Sequence, residues 1–208
     1  MRKIIIMTFA LGLIAFTAKA QYLGLKGGMN LSNLNIDEVD DENMRVGYHF
    51  GAYVNVPISD AFAVQPEVLY STKGSKADYD IDLGLLGSVN GNAQIHLDYI
   101  DIPLLGVFRV GDNFELHLGP YIGFLANSKY KFEGDSEGEG DLDSDHFKNM
   151  DYGLVGGLAL NFSALQVGAR YNYGLQKIED SSTAKALLGD AKNSYFQVFA
   201  AIRLGNYD

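Results

Sequence analysis

The sequence predicts an all-β protein: an eight-stranded antiparallel up-and-down transmembrane β-barrel over residues 21–208, preceded by a cleaved signal peptide over residues 1–20. Three observations predict it. Stretches of about 11 residues alternate between apolar side chains and small or polar ones, the period of a strand. The connections between these stretches run long and short in turn. The one long apolar run, Ile4–Phe16, lies at the N-terminus and is shorter than the ~20 residues of a membrane-spanning helix.

Composition narrows the class. The 208 residues include 24 Gly, 13 Tyr and 12 Phe, a balance that favours sheet, and no Cys. A chain without cysteine has no disulfide framework, no thiolate metal site and no cysteine nucleophile. Met1-Arg2-Lys3, the apolar run and Ala18-Lys19-Ala20 have the order of a signal peptide, so the mature chain is expected to start at Gln21. The alternative is a single anchoring helix. The formal charge is −10 and falls to −13 without Arg2, Lys3 and Lys19. An acidic chain with no basic cluster points away from nucleic acid.

The strands follow in order. The first is expected over Tyr22–Leu34, with Leu23, Leu25, Met29 and Leu31 on one face and Lys26, Gly28 and Asn30 on the other. The second, Val46–Val56, sets Val46, Tyr48, Phe50 and Val54 against His49, Gly51 and Tyr53. The third runs from Phe62 to about Lys73 and the fourth from about Ile95 to Val110. The fourth has adjacent apolar residues at Tyr99 and Ile100, which predicts a β-bulge. The fifth, from Phe114 to about Ala126, sets Leu116, Leu118 and Phe124 against Glu115, His117 and Tyr121. The sixth and seventh are a hairpin, Met150–Gln176, turning at Ser163-Ala164. The eighth is Ser194–Leu204. Pro66, Pro103 and Pro120 fall inside strands, where a proline cannot donate to the ladder, and predict local bulges.

Two checks orient the barrel. Phe62, Phe114 and Phe162 sit beside short turns, and Tyr70, Phe124, Tyr152 and Tyr173 near long loops. Ten residues of tilted strand span roughly 25 Å, the height of a lipid-facing apolar band, so these are the expected aromatic girdles. The long connections, Asn35–Arg45, Ser75–Asn92, Asn127–Met150 and Ile178–Asn193, hold 18 of the 26 acids, and the short turns only Asp60 and Asp112. Outer-membrane barrels have short periplasmic turns and long extracellular loops, so both termini are expected in the periplasm. A soluble barrel of lipocalin type would reverse the faces. Its outer face would be rich in Lys and Glu, whereas the polar face here is crowded with Gly and Ala.

Gly24-Leu25-Lys26-Gly27-Gly28-Met29-Asn30-Leu31-Ser32, Gln65-Pro66-Glu67-Val68-Leu69-Tyr70-Ser71, Tyr99-Ile100-Asp101-Ile102-Pro103-Leu104-Leu105 and Gly119-Pro120-Tyr121-Ile122-Gly123 together resemble the PorT-like outer-membrane β-barrel family of Bacteroidetes. The resemblance covers nearly the whole mature chain, and the in-strand prolines are part of it. It implies an outer-membrane barrel in the OmpA/OmpX size class. Most members of that family have no assigned activity. One branch is linked to the type IX secretion and gliding apparatus. The C-terminus, Arg203-Leu204-Gly205-Asn206-Tyr207-Asp208, does not end on an aromatic residue as many barrel insertion signals do.

Lys26, Glu67, Asp101, Arg109, Glu115, Arg170 and Arg203 fall on the polar face and are expected in the lumen as an ion-pair and hydrogen-bond cluster. Arg109 and Glu115 should meet across the Gly111–Asn113 turn, and Glu67 should lie near Lys26 and Arg170. Eight strands leave an interior just wide enough for side chains, so the cluster reads as a plug; the alternative is a gate or solute path. His49 and His117 share this face but have no serine beside them in strand sequence, and no catalytic residue is assigned. Asp135, Glu137, Glu139 and Asp141 resemble the start of a calcium loop, but its twelfth place holds His146 instead of Glu. A solvated acidic loop is the plainer reading, and no cofactor is expected. The expected partners are outer-membrane lipid and, in an accessory role, other envelope proteins, for a monomer. Three roles remain: a surface or structural barrel, a secretion or gliding accessory, and a narrow solute channel.

Overall fold

A computed structural model of the chain describes residues 22–35, 42–43, 45–82, 88–134, 138–141, 149–177 and 192–204. Within them, eight antiparallel strands make up the wall. They are β1 (Tyr22–Asn35), β2 (Arg45–Ser59), β3 (Phe62–Asp82), β4 (Ser88–Val110), β5 (Phe114–Gly134), β6 (Met150–Phe162), β7 (Leu165–Lys177) and β8 (Lys192–Leu204). Each pairs with its neighbours in sequence, and β1 pairs with β8 from Leu23↔Leu204 to Asn35↔Lys192, which closes the barrel. Two short segments add to one end: Glu42–Asn43 on β3 and Gly138–Asp141 on β5.

Alternation decides which side chains face inward. On β6 the buried residues are Asp151, Gly153, Val155, Ala159 and Asn161, while Tyr152, Leu154, Leu158, Leu160 and Phe162 are exposed. The exposed set on the other strands is equally apolar, including Leu25, Met29, Phe50, Val68, Leu118 and Val198. Side chains of this kind on the outer wall need a hydrocarbon environment, and a closed sheet satisfies its backbone groups within itself. The Phe114-to-Phe124 and Tyr152-to-Phe162 intervals lie on this outer face. The two-residue turn of the β6–β7 hairpin places Ser163 at φ 53.

The interior is tight. A Cβ on Gly51 would overlap the Val68 carbonyl oxygen and come within 2.9 Å of the Leu69 Cα, both backbone atoms of the next strand. Small residues crowd the inner face because an eight-stranded wall curves sharply there.

Three expectations are corrected. First, β3, β4 and β5 do not end near Lys73, Ile95 and Ala126. β3 and β4 remain paired out to Asp82↔Ser88, and β4 and β5 out to Gly91↔Gly134. The second long connection is mostly hairpin, and about half of the third is strand. Second, β4 keeps its alternation through Tyr99 and Ile100, because Leu97, Tyr99 and Asp101 are all buried. The register shift at this level falls between Asp98↔Asn127 and Tyr99↔Leu125, so the extra residue is Ala126 on β5. Third, Pro66, Pro103 and Pro120 make no bulges. The paired residues on either side of each keep one register, and the ladder only lapses beside it. A missing N–H removes hydrogen bonds without inserting a residue.

Candidate functional site: the lumen

The inward residues form three layers. The first lies at the end with the short turns. Arg109 Nη2 donates to Asn55 Oδ1 (3.1 Å), and its Nε lies 3.8 Å from Glu115 Oε1. Arg203 Nη2 donates to the same Oε1 (3.4 Å) and to Asn161 Oδ1. Gln166 Nε2 donates to Glu115 Oε2 (2.8 Å) and to Asn161 Oδ1 (2.9 Å). Glu115 is therefore held from β4, β7 and β8.

The second layer crosses the barrel. Glu67 on β3 receives Lys26 Nζ (2.6 Å) from β1 and Gln65 Nε2 (2.7 Å) at Oε1. From β7, Arg170 donates Nη1 to Oε2 (2.9 Å) and Nη2 to Oε1 (3.0 Å). The Phe199 ring lies 4.4 Å from Lys26 Nζ and 4.7 Å from the Arg170 Cζ. Arg170 Nη2 also reaches His117 Nδ1 at 2.7 Å. A guanidinium can only donate, so Nδ1 accepts, and Nε2 carries the proton and donates to Glu115 Oε2 (3.2 Å). His117 thus joins the first and second layers.

The third layer lies toward the extended strands. Lys73 on β3 donates to Asp101 Oδ1 (2.9 Å) on β4 and to Asp151 Oδ2 (3.3 Å) on β6. Tyr121 and Tyr195 each donate a hydroxyl, to Asp151 Oδ2 (3.1 Å) and Asp101 Oδ2 (3.1 Å). Beside them, Asn30 Nδ2 donates to Ser71 Oγ and the Thr72 carbonyl (both 3.0 Å). That orientation leaves its Oδ1 to accept from His49 Nδ1 (2.8 Å) and Gln197 Nε2 (3.1 Å).

The sequence-derived residues therefore fall into different layers. Lys26, Glu67 and Arg170 meet in the second, and Arg109, Glu115 and Arg203 in the first. Asp101 lies apart from both, in the third. Sequence reasoning missed Lys73, Asp151 and the tyrosines around them. The same count of two that places Glu67 inward places Lys73, which stands at the expected end of the third strand. Asp135 and Glu137 lie outside the described residues, as do the side chains of Glu139 and Asp141. Among the described residues no group of three or more His, Cys, Asp or Glu is placed to hold a metal.

Lys26, Glu67, Lys73, Glu115, His117 and Arg170 are all buried. Buried charges are retained only when paired and hydrogen-bonded; the five charged groups here are both, and the neutral His117 ring is hydrogen-bonded at both nitrogens. Movement of one side chain would strand its partners.

The family comparison agrees with this architecture. A family model described as "Outer membrane protein beta-barrel domain" matches residues 19–180. No curated protein matches the chain. Among solved structures, Ail, the attachment invasion locus protein of Yersinia pestis, is 16% identical over 88% of this chain and 99% of its own, with a TM-score of 0.45. Neisserial surface protein A is 10% identical over 88% and 97%, with a TM-score of 0.48. OprG from Pseudomonas aeruginosa is 14% identical over 90% and 98%, with a TM-score of 0.43.

Proposed function

The chain belongs to the outer membrane protein beta-barrel domain family, and from that premise we propose that it is a small non-enzymatic barrel with a surface or structural role. Its lumen is a plug, and its acid-rich connections face outside the cell. The observation that carries this reading is the charged bridge across the second layer. Glu67 and Arg170 come from strands four places apart in a ring of eight, and Lys26 binds the same carboxylate. A solute would have to break all three contacts. No reaction is assigned to the two lumen histidines. Both nitrogens of His117 are engaged by Arg170 and Glu115, and His49 is held by Asn30.

The finer assignments belong to the same proposal: a PorT-like placement, a cleaved signal peptide and periplasmic termini. They rest on the motifs and segment order in the sequence. An accessory role in a secretion or gliding apparatus would act through the outer surface and needs no open lumen.

Planar-bilayer recording tests the plug. The refolded barrel should leave the membrane silent, and steady openings on the nanosiemens scale would sink the reading. Fractionation followed by gels of heated and unheated samples tests the location. The protein should appear in outer-membrane fractions and migrate differently once boiled. Recovery as a soluble periplasmic protein would reverse the assignment of the two faces.

A further inference from the structure

Lys73 is wholly buried, and aromatic rings and carboxylates surround its ammonium. The ammonium lies 4.5 Å from the centroid of the Tyr99 ring, 5.1 Å from that of Tyr121 and 4.6 Å from that of Tyr195. The Asp101 and Asp151 carboxylates approach it at 2.9 Å and 3.3 Å. The two carboxylates are each held by a tyrosine hydroxyl of the same cage. Aromatic faces and carboxylates together are the recognition chemistry of a desolvated ammonium. The five cage residues come from β4, β5, β6 and β8, and β3 contributes only the occupant.

Strand β3 is irregular where it delivers that occupant. Ser71, Thr72, Lys73 and Gly74 are four consecutive buried residues, which breaks the alternation. The pairing of β2 with β3 stops at His49↔Ser71, and Glu42–Asn43 resumes it at Lys76 and Ala77. In the gap, side chains replace the ladder. Asn30 donates to the Thr72 carbonyl, Arg45 to that of Lys73 (2.8 Å) and Ser32 to that of Gly74 (2.9 Å). Gly74 has φ 138, a conformation that favours glycine. Strand β3 stays paired with β4 through this stretch, and its lysine, inward by the same alternation as Glu67, enters a cage built by other strands.

We propose that this cage is a binding site for a primary alkylammonium group, occupied in the resting barrel by its own Lys73. The ligand class is a small linear amine, with an unbranched carbon chain and an –NH3+ end that donates to both carboxylates. Lys73 acts as a tethered competitor, so an outside amine binds only the fraction of molecules in which Lys73 has withdrawn. The cage is independent of which end of the barrel faces outside.

The test uses the full chain refolded in micelles. Lys73→Ala should bind n-butylammonium saturably in calorimetry, at least about tenfold more tightly than the wild type, whose site is filled. Adding Asp101→Asn and Asp151→Asn to it should remove the binding, and tetramethylammonium, which has no N–H to donate, should bind at least about tenfold more weakly. The idea is overturned if a heat-modifiable Lys73→Ala barrel binds no n-butylammonium, or if binding survives the loss of both carboxylates. The wild type supplies a second measurement that does not depend on the variant folding. Three tyrosine rings should shift the Lys73 methylene resonances upfield, and added cadaverine should move them toward the ordinary lysine position. Upfield resonances that stay fixed up to saturating cadaverine count equally against the proposal.

Discussion

Arg170 clamps Glu67 through both carboxylate oxygens, at 2.9 Å and 3.0 Å, from the opposite side of the barrel. A bidentate pair fixes position as well as charge, so this contact sets the distance between β3 and β7. Removing one partner of a buried pair leaves an uncompensated charge and costs about 3–5 kcal/mol. Arg170→Met should therefore lower unfolding stability in urea, measured by loss of the fast-migrating folded band, by about that amount. The triple variant Lys26→Met, Glu67→Leu, Arg170→Met should recover most of the loss, because an apolar replacement leaves nothing unpaired. A triple variant as unstable as the single one would show that the charges are needed in themselves.

His117 is the hinge between two charged layers. It accepts from Arg170 at Nδ1 and donates to Glu115 from Nε2. A glutamine can also accept with one atom and donate with the other. His117→Gln should then stay within about 1 kcal/mol of wild type, whereas His117→Leu should cost roughly 2–3 kcal/mol by leaving buried partners unmatched. Nitrogen NMR of the ring should show a proton on Nε2. A proton on Nδ1 at neutral pH would rule out His117 as the acceptor for Arg170.

The wall was legible in the sequence because its face assignment is local. Counting by two from Phe114 separates Leu116 and Leu118 from Glu115 and His117, and burial follows that division. The ends of β3 and β4 were not legible. Asp78, Asp80 and Asp82 looked like loop, yet they pair in register with Asn92, Asn90 and Ser88 across a hairpin. Pairing between strands is non-local, and no count along one strand contains it. The ammonium cage was hidden for a related reason. Its five residues lie on four strands and its occupant on a fifth, and Gly74, which reads as a turn signal, lies within a strand that stays paired as far as Asp82↔Ser88. Local punctuation cannot distinguish a glycine within a strand from one at its end.

Glycine content has opposite meanings on the two faces of the wall. On the inside, a Cβ at Gly51 would run into the backbone of Val68 and Leu69, which cannot rotate away. On the outside, a Cβ at Gly27 would meet nothing closer than 3.6 Å. Gly51→Ala should lower stability by about 1–3 kcal/mol, the range for overpacking. Gly27→Ala should be neutral or slightly stabilising, since glycine in a strand carries an entropic cost. The two variants compared in one urea series decide it, and equal effects would mean that the inner face is less crowded than described.

Depth in the bilayer should be readable from single charges on the outer face. Leu118 is 61% exposed and lies near the middle of the Phe114-to-Phe124 interval. Ile58 is 65% exposed but sits beside the short turn at Asp60-Ala61. If solvent were water everywhere, an arginine at either position would matter equally little. In a bilayer the cost is about 2–4 kcal/mol at the midplane and about 0–1 kcal/mol near the interface. Leu118→Arg should therefore destabilise the barrel in phospholipid vesicles far more than Ile58→Arg. The difference should shrink in small detergent micelles, which let the arginine reach water more easily. Equal, small effects in vesicles would mean that the apolar face at Leu118 is not buried in lipid.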